Sequence, residues 1–158
     1  MASIDIQPLG TEAGFGARVR GITFDTLKDE AIRAQLNQLF EARCVIVFEG
    51  LEPSGEMQVA ISTVFGPLKD HPVAAVDRAD GDKMLGVIEI RAHAGAAIVE
   101  IGGKPLVTWQ PWHFDHAYNN ELNRAGVLRA IKIAKDGGST GFADGIQIHR
   151  DMNPDILK

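Results

Sequence analysis

The 158-residue sequence contains one cysteine, Cys44, so no disulfide can form within the chain. It also has no excess of basic residues, since 16 lysines and arginines stand against 21 aspartates and glutamates and give a net charge of −5. Proteins that bind nucleic acids or anionic membranes without specificity need a basic face, so both classes are disfavoured. A chain without disulfides fits a reducing compartment, and we expect a cytoplasmic protein.

The sequence also lacks long apolar runs. None approaches the roughly 20 residues of a membrane span, and the N-terminal residues have neither the basic region nor the apolar stretch of a signal peptide. No internal repeat or low-complexity tract is found. The content of 45% hydrophobic and 23% charged residues is ordinary for a globular protein. These features predict a soluble protein of one domain with no membrane partner.

Two segments have helical periodicity. The first helix is predicted from about Leu27 to Arg43, where Thr26 and Asp29 have the spacing of a capping box. The second should follow Ser54, which is available as an N-cap, and should end at Gly66-Pro67. Its apolar stripe consists of Met57, Ala60, Ile61, Val64 and Phe65.

Strand patterns occur before, between and after the two helices. The β-branched run Cys44–Phe48 predicts a buried strand, with Cys44 in the core. Further strands are predicted at residues 4–6, 17–19, 84–90, 96–101 and 127–134. Two helices followed by successive strands indicate an α+β protein with a sheet-rich unit that is not finished.

The pattern His-x-Asp occurs twice, as His113-Phe114-Asp115 and as His149-Arg150-Asp151. About 0.4 copies are expected by chance, so the context has to separate them. On a strand, residues i and i+2 share a face, and His113 and Asp115 could then converge on one ion. The second copy lies among turn residues, where the two side chains would diverge, and we expect an exposed His149. His116 would face away from the ion and is predicted to be a supporting or surface residue.

A histidine and a carboxylate, completed by another histidine, form the facial triad of non-haem iron(II) oxygenases, which leaves positions open for a co-substrate and O₂. A hydrogen-bonded pair without a metal would have the same spacing, so the spacing alone leaves both interpretations open. The context that favours the metal is a series of short motifs in a fixed order. They are Leu9-Gly10, Gly21-Ile22, Val45-Ile46-Val47-Phe48, Phe65-Gly66-Pro67, His71-Pro72, Trp112-His113-Phe114-Asp115 and Gly137-Gly138-Ser139-Thr140-Gly141-Phe142-Ala143-Asp144.

With these motifs the chain resembles the N-terminal half of the taurine dioxygenase and aryloxyalkanoate dioxygenase family of iron(II)- and 2-oxoglutarate-dependent enzymes. The resemblance implies that His113 and Asp115 are the first two iron ligands. It also implies that the Thr140 hydroxyl binds a carboxylate of 2-oxoglutarate and that His71 contacts the substrate. The alternatives are an ordinary turn threonine and an ordinary loop histidine.

The fold implied by the resemblance is an incomplete double-stranded β-helix, or jelly roll, flanked by helices. Only 43 residues follow Asp115, and the family's distal histidine and its 2-oxoglutarate-binding arginine have no counterpart among them. We therefore expect residues 1–158 to be the N-terminal portion of a single domain that is inactive alone, with open sheet edges that favour a homo-oligomer.

The complete enzyme would use O₂ and 2-oxoglutarate to hydroxylate a small organic acid, with release of succinate and CO₂. The other interpretation is a non-catalytic binding or interaction module that retains part of a metal site. A small metal-binding β-barrel that uses no 2-oxoglutarate is a third possibility.

Overall fold

The computed structural model describes residues 3–10, 14–71, 78–79, 84, 86–90, 98–107 and 111–157. Its helices are α1 (Glu30–Arg43), α2 (Gly55–Phe65) and α3 (Gly145–Asp151), and a 3₁₀ turn (Thr26–Lys28) precedes α1. Its strands are β1 (Asp5–Pro8), β2 (Ala17–Arg20), β3 (Ile46–Glu49), β4 (Ile98–Ile101) and β5 (Lys104–Val107). The α+β class is confirmed. The described strands form one three-stranded and one two-stranded sheet, and they do not form the predicted double-stranded β-helix.

The chain divides into two compact units. The first comprises Met1–Phe65 and Val127–Lys158, and it contains β1 to β3 and all three described helices. The second comprises Gly66–Gly126 and contains β4, β5 and the His113 motif. None of the helices in the described ranges has the length and apolar character needed to cross a membrane.

The sheet of the first unit has the order β1-β2-β3. Strand β1 pairs antiparallel with β2, and β2 pairs parallel with β3, with α1 in the connection between them. Because β2 is central, Ala17 and Val19 are only 1% and 0% exposed. Strand β3 confirms the predicted strand, but it is an edge strand in this sheet and is half-buried rather than buried.

Helix α1 begins at Glu30 rather than near Leu27 because Asp29, and not Thr26, is its N-cap. The Asp29 side chain accepts a hydrogen bond from the backbone N–H of Ala31 at 2.9 Å. The Thr26 hydroxyl is engaged one turn earlier, where it accepts from the backbone N–H of Thr23 at 2.8 Å. The second predicted helix is confirmed as α2, and Ser54 caps it by accepting from the N–H of Met57 at 3.1 Å.

Helices α1 and α2 pack through side chains that the apolar pattern predicted. Leu36, Met57 and Ile61 are each at most 2% exposed. Two polar side chains of α1 also reach the end of α2: Arg33 donates to the carbonyl of Thr63 at 2.7 Å, and Asn37 donates to that of Val64 at 2.8 Å. These last-turn carbonyls have no partner within their own helix, so α1 supplies the hydrogen bonds that α2 lacks.

Cys44 is exposed, and the prediction of a core cysteine was wrong. It is the C-cap of α1, with φ of 63° and its N–H bonded to the carbonyl of Phe40 at 2.8 Å. The apolar run therefore starts at the helix end rather than in the strand. The side chain at this cap faces solvent.

The predicted strand at residues 127–134 was also wrong, because the structure describes this segment and contains no strand there. The start of this segment is hydrogen-bonded to α2. The Gln58 amide donates to the carbonyl of Val127 at 3.1 Å, and Arg129 donates to the side-chain oxygen of Gln58 at 3.1 Å. Beyond this contact, Ile131 and Ile133 are 72% and 80% exposed. A β-strand needs a neighbouring strand, and the described residues provide none at this segment.

In the second unit, β4 and β5 form an antiparallel hairpin with Ile101 opposite Lys104. Gly102 and Gly103 connect them with φ of 59° and 74°, the conformation of a type I′ turn, which favours glycine. This hairpin confirms the strand predicted at 96–101, although residues 96 and 97 lie outside the described part. At 84–90 the structure contains only an isolated bridge between Arg78 and Ile88, and residue 85 is not among the described residues.

Candidate metal centre

The His113 motif lies in a series of turns rather than on a strand. The carbonyl of Phe114 accepts from the N–H of Ala117 at 3.4 Å, and the carbonyl of His116 accepts from that of Asn119 at 2.9 Å. The predicted strand, on which His113 and Asp115 would share a face, was therefore wrong. Where the chain reverses direction, side chains close in sequence can approach each other without sharing the face of a strand.

His113 and Asp115 nevertheless converge. The His113 Nε2 lies 2.9 Å from Oδ1 of Asp115, and its Nδ1 lies 2.8 Å from the carbonyl oxygen of Pro111. Both ring nitrogens thus face acceptors, and the Pro111 carbonyl, followed by the Asp115 carboxylate, raises the pKa of His113. The side chains are 50% and 76% exposed, so the pair is open to solvent.

The donor set and its geometry fit a metal ion. Two cis ligands at about 2.1 Å from one ion stand about 3.0 Å apart, close to the separation that the pair has here. Ligating histidines commonly donate their other ring N–H to a backbone carbonyl, which is the role that Pro111 fills for His113. Metal binding at Nε2 would require the loss of the proton that this nitrogen donates to Asp115. In this structure the two side chains are hydrogen-bonded to each other. The contact is therefore compatible both with a pair of metal ligands and with a hydrogen-bonded pair without a metal.

His71 lies in the same unit, and its backbone is held by an ion pair. Arg78 donates to both carboxylate oxygens of Asp70, at 3.0 and 3.2 Å, and to the carbonyl of His71 at 2.9 Å. Asp70 in turn accepts from the N–H of His71 at 2.9 Å. These hydrogen bonds, that of Arg78 foremost, lower the pKa of Asp70. The Arg78 side chain is 12% exposed and the Asp70 side chain 52%, so the guanidinium is enclosed while the carboxylate is open to solvent, and together they hold the chain at His71.

The ring of His71 contacts the ring of His116. Their centroids are 5.3 Å apart and their planes are inclined by 82°. The Asn123 amide lies 2.9 Å from Nδ1 of His116, and the Tyr118 ring lies 5.8 Å away on a tilted plane. The prediction of a supporting or surface residue missed this ring contact, because it assumed a strand, on which His116 would point away. Arg78 and Asn123 were missed as well, since neither belongs to a recognisable local motif.

Thr140 belongs to the other unit and is exposed. It follows Gly137 and Gly138, which have φ of 72° and 66°. His149 is exposed on α3, as predicted, and Asp151 accepts from the side chain of Gln147 at 2.9 Å instead of joining His149. In the described ranges, no group of three or more histidine, cysteine or acidic side chains is placed to hold a metal.

The first unit also contains an open cavity of about 740 Å³ between α3 and the chain before β2. It is lined by Gly14, Phe15, Phe142, Asp144, Gln147, Ile148, Asp151 and Met152. None of the four predicted site residues lines it. Its largest lining groups are aromatic and aliphatic, and its carboxylates take part in helix α3, so it does not extend the candidate centre.

A family model described as "Taurine catabolism dioxygenase TauD, TfdA family" matches residues 5–158 of the chain. The chain is 24% identical over 146 residues to pentalenolactone F synthase of Streptomyces avermitilis, which covers 91% of this chain and 46% of that protein. It is 25% identical over 114 residues to the alpha-ketoglutarate-dependent 2,4-dichlorophenoxyacetate dioxygenase of Cupriavidus pinatubonensis, covering 70% of this chain and 40% of that one.

An alkylsulfatase of Acinetobacter baylyi is 24% identical over 144 residues, which is 90% of this chain and 40% of the relative. The chain therefore spans somewhat less than half the length of these curated relatives. No solved structure gives a significant match.

Proposed function

We propose that the chain, which belongs to the TauD/TfdA family of dioxygenases, is the part of an iron(II)- and 2-oxoglutarate-dependent dioxygenase that carries the first two iron ligands. The complete reaction would hydroxylate a small organic acid with O₂ and convert 2-oxoglutarate to succinate and CO₂. The observation that carries this proposal is the match of the family model over residues 5–158, with which the 2.9 Å approach of His113 Nε2 to Asp115 Oδ1 is compatible.

Each proposed residue has a limited chemical task. His113 would hold iron(II) through Nε2 while Pro111 fixes the orientation of the ring, and Asp115 would hold it through its carboxylate. The Thr140 hydroxyl would donate to a carboxylate of 2-oxoglutarate, and His71 would contact the substrate. When bound, the metal supplies the activation of O₂, which no side chain can provide.

A facial triad needs a third protein ligand beside this pair. Two donors converge at the His113 motif, and the described residues place no third one there. We therefore propose that the 158 residues alone have little or no turnover.

The proposed substrate is a small organic anion. Among the relatives, one is named for a carboxylic acid, 2,4-dichlorophenoxyacetate, and another for alkyl sulfates, which are also anions. The proposal therefore specifies the negative charge and leaves the rest of the molecule open.

The direct test is the charge-transfer absorption that iron(II) and 2-oxoglutarate produce when both bind one site. Under anaerobic conditions we expect the band when both are added, its loss in His113→Ala, and its retention in the matched variant His149→Ala. Circular dichroism should show that both variants are folded. A band of equal strength in His113→Ala would contradict the assignment.

The second candidate, a non-catalytic binding module, is favoured by the single observation that only two donors converge in the described part of the chain. It predicts neither the charge-transfer band nor the formation of succinate. The third interpretation, a metal site without 2-oxoglutarate, predicts iron(II) binding with no band. Binding of iron(II) measured with and without 2-oxoglutarate separates the three.

A further inference from the structure

The contact between His71 and His116 is organised from both sides. On the His71 side, Arg78 and Asp70 fix the backbone through hydrogen bonds to its carbonyl and its N–H. The ring of His71 packs against that of His116. The ring of His116 lies almost perpendicular to it, with centroids 5.3 Å apart, which is a favourable geometry for two aromatic rings.

On the other side, His116 has a backbone conformation that is uncommon for a residue with a side chain. Its φ is 57°, and Cys44 is the other non-glycine residue with positive φ in the described part of the chain. The Asn123 amide bonds the ring at 2.9 Å, and the ring is half-buried. His116 thus combines a left-handed backbone, directly after a proposed ligand, with a ring that is held by a hydrogen bond.

We infer that His116 is a positioning residue: its ring, oriented by Asn123, holds the imidazole of His71 in the direction in which it meets the anionic group of the substrate. This inference rests on the proposed function, because it assigns His71 to the substrate, and it adds His116 and Asn123 to the site. A ring that is fixed before binding loses less conformational freedom when the ligand arrives, so the effect should appear in affinity.

Three variants separate the ring from the backbone. His116→Gly removes the ring and suits the positive φ, so it should leave the turn intact. His116→Phe restores an aromatic ring of similar shape against His71. Asn123→Ala removes only the hydrogen bond that orients the ring. His149→Ala is the matched control, since it removes an exposed histidine of the other unit.

The readout is nuclear magnetic resonance of the histidine ring protons in the 158-residue chain, with His71→Ala used to assign the His71 signal. Methanesulfonate is the probe anion, and acetate is titrated in parallel to compare a sulfonate with a carboxylate. We expect the His71 signal to shift on titration. We also expect His116→Gly to bind about fivefold more weakly. His116→Phe and Asn123→Ala each keep an aromatic ring against His71 but lose the Asn123 hydrogen bond, so both should fall between His116→Gly and the unmodified chain, and His149→Ala should bind normally.

Several outcomes would overturn the inference. One is an unshifted His71 signal, and another is a His116→Gly variant that binds as tightly as the unmodified chain. Failure of His116→Phe to restore binding would mean that His116 contacts the anion itself, which also contradicts a positioning role. The iron(II) and 2-oxoglutarate band is measured on the same variants: its absence from the unmodified chain defeats the proposed function, whereas its presence beside unchanged anion affinity defeats only this inference.

Discussion

The Asp70 carboxylate links three groups around His71: the Arg78 guanidinium, the His71 N–H and, through Arg78, the His71 carbonyl. Because these hydrogen bonds lower its pKa, the ionised form is favoured in the folded chain. Its contribution to stability is therefore complete above the unfolded-state pKa of about 3.9 and is lost as the pH falls through the lower folded-state value.

We predict that Asp70→Asn lowers the thermal unfolding midpoint near neutral pH, and that the difference from the unmodified chain shrinks as the pH falls below about 4. Calorimetry over a pH series measures both. Asp136→Asn, at an exposed carboxylate of the other unit, is the control. A difference that stays constant down to acidic pH would show that the Asp70 charge is not involved.

A second residue-scale prediction concerns the core of the first unit. Leu36 is fully buried between α1 and its neighbours, so Leu36→Ala should leave a cavity and cost about 2–5 kcal/mol of unfolding free energy. Leu128→Ala, at a position 66% exposed, should cost less than about 0.5 kcal/mol. Urea denaturation of both variants gives the comparison, and equal losses would contradict the assigned core.

At this scale the sequence identified the two residues of the candidate centre but not how they meet. The choice of His113 over His149 depended on the surrounding motifs, and α3 indeed leaves His149 apart from Asp151. The approach of His113 to Asp115 occurs in a turn, because the hydrogen bonds around Phe114 and His116 reverse the chain there. The spacing predicted convergence on a strand and divergence in a turn, so the approach of these two side chains within a turn was not expected. The metal itself and the role of Thr140 stay predictions.

At the scale of the elements, the start of α1 depends on one side chain. Asp29 satisfies the backbone N–H of Ala31, which has no acceptor within the helix. We predict that Asp29→Ala costs about 1 kcal/mol of unfolding free energy. Asp29→Asn keeps an oxygen acceptor and should lie within a few tenths of a kcal/mol of the unmodified chain. If chemical denaturation shows equal losses for the two variants, the cap contributes no hydrogen bond of consequence.

Helices were predicted more accurately than strands for a physical reason. The caps and the apolar faces of α1 and α2 are local, so Ser54, Met57 and Ile61 carry their own signals in the sequence. A strand depends on its neighbour. Residues 127–134 have the composition of a strand but no partner within the described part of the chain, whereas β3 finds one in β2. Cys44 was wrongly predicted to lie in the core because it is the C-cap of α1, and the apolar run that follows gives no sign of where this helix ends.

At the scale of the whole molecule, large apolar side chains are exposed along much of the second half of the chain. The most exposed of them are Ile133, Ile90, Ile131, Ile156 and Tyr118, at 80%, 79%, 72%, 71% and 70%. An ordinary globular surface carries such residues singly, and a concentration of them marks an interaction surface or a tendency to associate. The net charge of −5 opposes association only weakly at physiological ionic strength.

We therefore predict that the 158-residue chain self-associates, and that the segment containing Ile131 and Ile133 contributes. Replacing both by lysine should shift the sedimentation-velocity distribution towards the monomer at every concentration tested, because the two side chains are 72% and 80% exposed and lose little by the change within one molecule. Lys132→Gln is the matched control, since it alters the charge between them and leaves both apolar groups in place. A chain that is monomeric at every concentration would contradict the prediction. A double variant that associates as strongly as the control would show that this segment is not a contact. The homo-oligomer expected from open sheet edges would then have to form through other residues.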